Sequence, residues 1–236
     1  MKGVRMHGLL AGTALLLALA GAPATAMQHG GAEAKDKAVE TQQEDARTLV
    51  KLDAQREAAF LAMMRGFMDS LNSITAALAE GNFSEAARIA REEMGPAHEM
   101  MAKLKAANVP EKKIKAVAEG IRGLMKKMVE EGGAFDAEKT HAQMRQIMMK
   151  TLGGPLPGMK PGEGRQRFGG GFGPFLPPEM RLMGLQTHLS AADFADAAEA
   201  VAASGKADAE AYKKVLGALS EVTAMCSACH AAWRLR

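Results

Sequence analysis

Apolar residues recur at helical steps along most of this chain. Phe60, Met64, Phe67, Leu71, Ile74 and Leu78 follow one another at steps of 4, 3, 4, 3 and 4, which predicts a helix over 44–80 with one apolar stripe. Gly81-Asn82 closes it, because both residue types tolerate positive φ. Phe83, Ala87, Ala90, Met94, Ala97, Met101 and Leu104 continue the alternation over 84–107. Ser84 is the expected cap there, and Gly95-Pro96 the expected kink or break. Pro110 opens a third stripe, Ile114, Val117, Ile121, Leu124 and Met128, which ends at Gly132-Gly133. A shorter piece over 136–151 places Met144, Ile147, Met148 and Leu152 on one side. Pro177-Pro178-Glu179 starts a helix carrying Met183, Phe194, Ala198 and Val201, stopped by Ser204-Gly205. The last helix begins near Asp208, and Tyr212, Val215, Leu219, Val222, Cys226, Cys229 and Trp233 step by 3, 4, 3, 4, 3 and 4. No stretch reads convincingly as a strand, so the expected fold class is all-α.

Three stretches lack this periodicity. Residues 1–26 read as a secretory signal peptide: Lys2 and Arg5, a short apolar run from Leu9 to Ala20, then Ala24-Thr25-Ala26 for cleavage. Residues 27–43 read as a mobile polar tail. Cleavage after Ala26 would make His29 the third residue, where amine, amides and imidazole can take Cu(II) or Ni(II), although a plain tail end is the simpler reading. Residues 153–178 hold nine Gly and six Pro, which excludes regular structure and predicts a surface loop, either a linker or a lid. Aromatics are only 4% of the chain and Met numbers 18, so Met, Leu and Ala must fill a helical core. A net charge of +3 gives no reason to expect nucleic acid.

Cys226-Ser227-Ala228-Cys229-His230 changes the picture. It is a C-x-x-C-H, the attachment signature of a c-type haem. Residues three and four apart share a helix face, so both thiols can reach the porphyrin vinyl groups and His230 can take the iron as axial ligand. A thioredoxin-like pair would need a strand–helix context, and a structural zinc site would need four ligands where only two cysteines exist. A disulfide fits the adjoining His230 poorly. Export agrees with haem attachment outside the cytoplasm, which places the expected protein in the periplasm without a stable membrane span after cleavage. His188 is a weak candidate for a second axial ligand and reads more simply as a hydrogen-bonded or surface residue. His98 and His141 read as surface residues, and Trp233 as core packing on the haem seam. Arg234, one helical turn after His230, is a candidate partner for a haem propionate. No constellation for hydrolytic or acid–base catalysis stands out, so no enzyme activity is expected.

With Trp233-Arg234 following the C-terminal C-x-x-C-H of an all-helical chain, the sequence resembles the cytochrome c-prime superfamily, including its low-spin, methionine-ligated branch. Leu61-Ala62-Met63-Met64-Arg65 and Pro178-Glu179-Met180-Arg181 also resemble that family. The resemblance implies an antiparallel four-helix bundle with haem c between helices, covering 44–107 and 177–236. It leaves 108–176 as an insertion and leaves open whether 110–131 replaces 84–107 in the bundle. It also implies redox partner proteins and often a homodimer.

The expected function is one-electron transfer through iron held by His230 and a methionine. Met64 is the candidate distal ligand, since among Met63, Met64 and Met68 it alone falls on the first stripe, and the resemblance points to the same helix. The alternatives are an open distal side that binds nitric oxide or carbon monoxide, and an exported metal-binding or interaction protein without haem.

Overall fold

The computed structural model describes residues 45–133, 136–154 and 172–235. The expected leader, the tail with His29 and most of the Gly/Pro-rich stretch lie outside them. The described residues form seven α-helices and one two-residue strand pairing, so the all-α expectation holds.

The first helix, α1 (Ala54–Ala79), starts later than the periodicity suggests. The chain before it is extended. Thr48–Leu49 (β1) pairs in parallel with Trp233–Arg234 (β2), and Val50 N donates to Arg234 O at 2.8 Å. Asp53 then caps α1, its side chain accepting from Arg56 N at 2.9 Å. Strands of two residues are too short to leave a period-2 signal, which is why the sequence does not announce them.

Gly81, at φ 70°, turns the chain into α2 (Phe83–Ile89). Asn82 caps α2 rather than Ser84, accepting from Glu85 N at 3.1 Å. One π-helical turn, Ala90–Met94, leads to an extended Gly95, and α3 (His98–Ala106) begins beyond Pro96. This is the expected break. Next come α4 (Glu111–Glu130) and α5 (Ala137–Leu152), and the five predicted stripe residues of α4 are all buried. The chain returns through α6 (Pro178–Ser204) and α7 (Ala209–Ala232).

α6 is the central element. Ala191, Phe194, Ala195 and Ala198 have no exposed surface, and the small side chains let neighbouring helices approach closely. One apolar cluster joins α1, α2, α6 and α7 through Phe67, Ile74, Phe83, Phe194, Val215 and Val222. Truncating a fully buried aromatic such as Phe194 to Ala costs about 3–5 kcal/mol. A second cluster joins α3, α4 and α5 through Leu104, Ile114, Val117, Ile121 and Met148. The two meet where Leu124 and Met128 of α4 pack on Leu185 of α6. Beside that contact Arg122 pairs with Asp193 and, at 2.7 Å, with Asp196, while Arg91 pairs with Asp196 and Glu199. Thus α2 with its π turn and α4 both flank α6, and neither displaces the other.

Candidate functional site

Four parts of the chain converge where α7 ends. Val50 before α1, Phe60 of α1 and Met180 of α6 are buried together, and Leu52, Met63, Met64, Phe172, Leu176, Cys229, Trp233 and Leu235 pack against them. The backbone holds this convergence in place. Arg47 Nη1 donates to the carbonyl of His230 at 3.4 Å, which occupies one of the carbonyls that a helix C-terminus leaves free. With the strand pairing, it straps the segment before α1 across the end of α7.

Cys226 and Cys229 are free thiols, both half-buried, one turn apart on the same face of α7. Burial pushes both thiols up, and Cys226 raises Cys229 further. His230 is exposed, in the last turn of α7. α7 as a whole is thinly covered: Val215 and Val222 are its only buried residues, and Leu216 is half exposed. By length and composition this is also the one described helix apolar enough to cross a membrane. It therefore carries more apolar surface than the helices packed on it cover.

On α1 the structure narrows the methionine candidates less than the stripe suggested. Met68 is 58% exposed and drops out. Met63 and Met64, however, both pack against the cluster at the end of α7, so Met64 is not singled out. A contact surface formed by several helices is wider than a one-residue stripe, and it takes in the position one step aside.

Trp233 and Arg234 differ from the helical reading. α7 stops at Ala232, and Trp233 is extended at φ −130° and ψ 148°. Pairing with 48–50 supplies the hydrogen bonds that a further helical turn would have made, so Arg234 does not stand one turn above His230. The Trp233 side chain still reaches the cluster that holds Cys229. Its Nε1 and the Nε of Arg234 are buried without a hydrogen-bond acceptor, although Arg234 Nε lies 3.6 Å from Asp45 Oδ2 in an ion pair.

The described end of the Gly/Pro-rich stretch is packed rather than loose. The Phe172 ring meets Phe60 edge-on at 5.0 Å between centroids, and the Arg56 guanidinium lies 3.9 Å over Phe175. Arg181 donates to three carbonyls, Gly173 at 2.7 Å, Gly133 at 2.7 Å and Leu176 at 2.9 Å. It ties the end of α4, the turn over 173–175 and the start of α6 together. Nothing in the apolar pattern flagged this residue. The signal was an arginine beside a Gly- and Pro-rich run, a composition that cannot continue a helix and so leaves carbonyls for side chains to bond.

His98 is not a surface residue. The Gly95-Pro96 break turns α3 so that its ring stacks on His188, with centroids 4.8 Å apart and planes at 21°. Phe67 meets both rings edge-on at 5.7 Å. His188 is hydrogen-bonded, one of the two expectations for it, with Nδ1 2.7 Å from Met94 O; His98 Nδ1 lies 3.0 Å from Gly95 O. Burial, with His98 alongside, pulls His188 down to about 4, and burial lowers His98 as well. His141 sits on α5 and is partly exposed. Among the described residues no group of three or more His, Cys, Asp or Glu is placed to hold a metal. The chain matches no family model, no curated protein and no solved structure.

Proposed function

We propose that the chain is an exported, periplasmic c-type cytochrome related to the cytochrome c-prime superfamily. α1, α2, α6 and α7 are its four-helix bundle, with one haem c between helices. The observation that carries the reading is the C-x-x-C-H on α7: two free thiols on one face, an exposed imidazole at the next position, and the thioethers of Met63 and Met64 packed into the same apolar cluster as Cys229.

Cys226 and Cys229 would each add S–H across a vinyl group, and His230 would ligate the iron from the proximal side. Met64, on the predicted stripe, is the distal ligand we favour, and a thioether there favours the reduced state. When bound, the haem iron supplies the one-electron chemistry. Phe60, Met180 and Leu176, which pack in the cluster with Cys229, would give a bound haem an apolar surround, and such a surround raises the cost of extra charge. Trp233 Nε1–H and Arg234 Nε–H are buried without a hydrogen-bond acceptor and would be donors for propionates, Arg234 in place of its ion pair with Asp45.

A pyridine haemochrome assay on protein made with haem-maturation machinery tests the reading, and absence of covalent haem would remove it. The same lining favours a second reading. Phenylalanine, leucine and methionine side chains suit an uncharged diatomic gas if no sulfur holds the sixth position. Carbon monoxide decides between them. The electron-carrier reading expects a low-spin spectrum, with rapid carbon monoxide binding only in Met64→Ala. Rapid binding by the unmutated protein would favour the gas-binding reading. An unchanged Met64→Ala spectrum would move the ligand to Met63.

A further inference from the structure

The histidine pair between α1, α3 and α6 stands apart from the C-x-x-C-H, and each of its rings is anchored through Nδ1 as a metal-ligating imidazole is. A backbone carbonyl can only accept, so each Nδ1 bound to one must carry the hydrogen and donate. His98 Nδ1–H donates to Gly95 O and His188 Nδ1–H to Met94 O. In a neutral ring this leaves the lone pair on Nε2. Among the described residues nothing donates to either Nε2, and neither atom is sealed in the interior. Each of the two stacked rings therefore keeps an Nε2 lone pair that no described group occupies.

The backbone is shaped to make this pair. The carbonyls of Met94 and Gly95 come from consecutive residues at the end of the π-helical turn Ala90–Met94, where the regular ladder is interrupted. Gly95 is required for that shape, since a Cβ there would stand 2.6 Å from Arg91 O. Anchoring Nδ1–H on a carbonyl is how metal-binding histidines are held, because it fixes both the tautomer and the ring direction. Phe67 backs both rings, and the carboxylate of Glu99 favours positive charge at His188.

We propose that His98 and His188 form a two-imidazole site for a borderline divalent transition cation, Zn(II) or Cu(II), with each Nε2 as a ligand and water completing the shell. Imidazole suits these ions, and the absence of a third protein ligand makes the site open rather than structural. Zn–N bonds of about 2.1 Å place the two Nε2 atoms within about 4.2 Å of each other. From rings stacked at 4.8 Å between centroids, that spacing would be made by each ring turning about its Nδ1 anchor.

Zn(II) is the better probe, because it is redox-silent and avoids the square-planar copper or nickel chemistry available to an N-terminal His29. The full chain is titrated with Zn(II) by calorimetry in two forms: haem-loaded, and with Cys226→Ala, Cys229→Ala and His230→Ala, so that the result stands whether or not haem attaches. We expect one Zn(II) per chain in both forms. His98→Ala or His188→Ala should weaken it by at least the roughly tenfold loss that even an outer partner costs. His141→Ala should leave it unchanged. X-ray absorption of the Zn-loaded, otherwise unmutated chain should show two imidazole nitrogens, and that measurement stands even if the alanine variants do not fold. No saturable binding, binding indifferent to both histidines, or fewer than two imidazoles would overturn the proposal.

Discussion

Acid should weaken this fold through His188, in an amount the structure allows us to work out. The ring is held neutral: its pKa falls from 6.5 to about 4, first because burial penalises the charged form and then because His98 stacks against it. In the unfolded chain the same imidazole takes a proton near 6.5. Between these values the unfolded state binds a proton that the folded state does not, so stability rises with pH across that window. The contribution is complete above about 6.5 and is lost as pH falls through the window to about 4. A drop of about 2.5 in pKa, at 1.36 kcal/mol for each, sets an upper value of about 3 kcal/mol. His98 is lowered by burial too and acts in the same direction. The perturbation is His188→Gln, whose amide can still donate to Met94 O but does not titrate. The assay is urea unfolding followed by circular dichroism at about pH 7.5, 6, 5 and 4 with a chelator present. Carboxylates and His98 titrate in both proteins and cancel in the difference. The stability difference, unmutated protein minus His188→Gln, should fall by as much as about 3 kcal/mol from the highest pH to the lowest. A difference that stays flat with pH would refute a neutral, buried His188.

Three further outcomes are expected. On the proposed attachment, Cys229→Ser would leave at most one thioether, so haem-dependent peroxidase staining on a denaturing gel should fall sharply, and staining equal to the unmutated protein would count against the attachment scheme. Replacing 155–171 with a short flexible linker should leave the helical circular dichroism and the optical spectrum intact, whereas also removing 172–176 strips Phe172 from Phe60 and takes the carbonyls of Gly173 and Leu176 from Arg181, and should lower the melting temperature. Gly133→Ala should destabilise by about 1–2 kcal/mol or more in thermal unfolding, because the residue sits at φ 75° and a Cβ would stand 2.9 Å from Pro178 O; an unchanged melting temperature would mean the turn relaxes freely.

Much of this protein was legible from spacing alone. Helices repeat at a fixed angular step, so Phe60, Phe67 and Ile74, the five positions of α4, and Val215 and Val222 could be assigned to buried faces without knowing what covers them. The spacing of Cys226 and Cys229, one turn apart on α7, was equally local, whereas the exposure of His230 beside the half-buried thiols was not legible from the motif. What tertiary structure decided were contacts between residues far apart in sequence. The pairing of 48–50 with 233–234 ends α7 at Ala232 and sets the surroundings of Trp233 and Arg234, yet four paired residues leave no periodic trace. The stacking of His98 on His188 joins positions ninety apart, brought together by a break at Gly95 whose direction a sequence does not encode. Met63 beside Met64 shows the same limit: a stripe tells which side of a helix is apolar, but only the neighbouring helices fix how wide the buried face becomes.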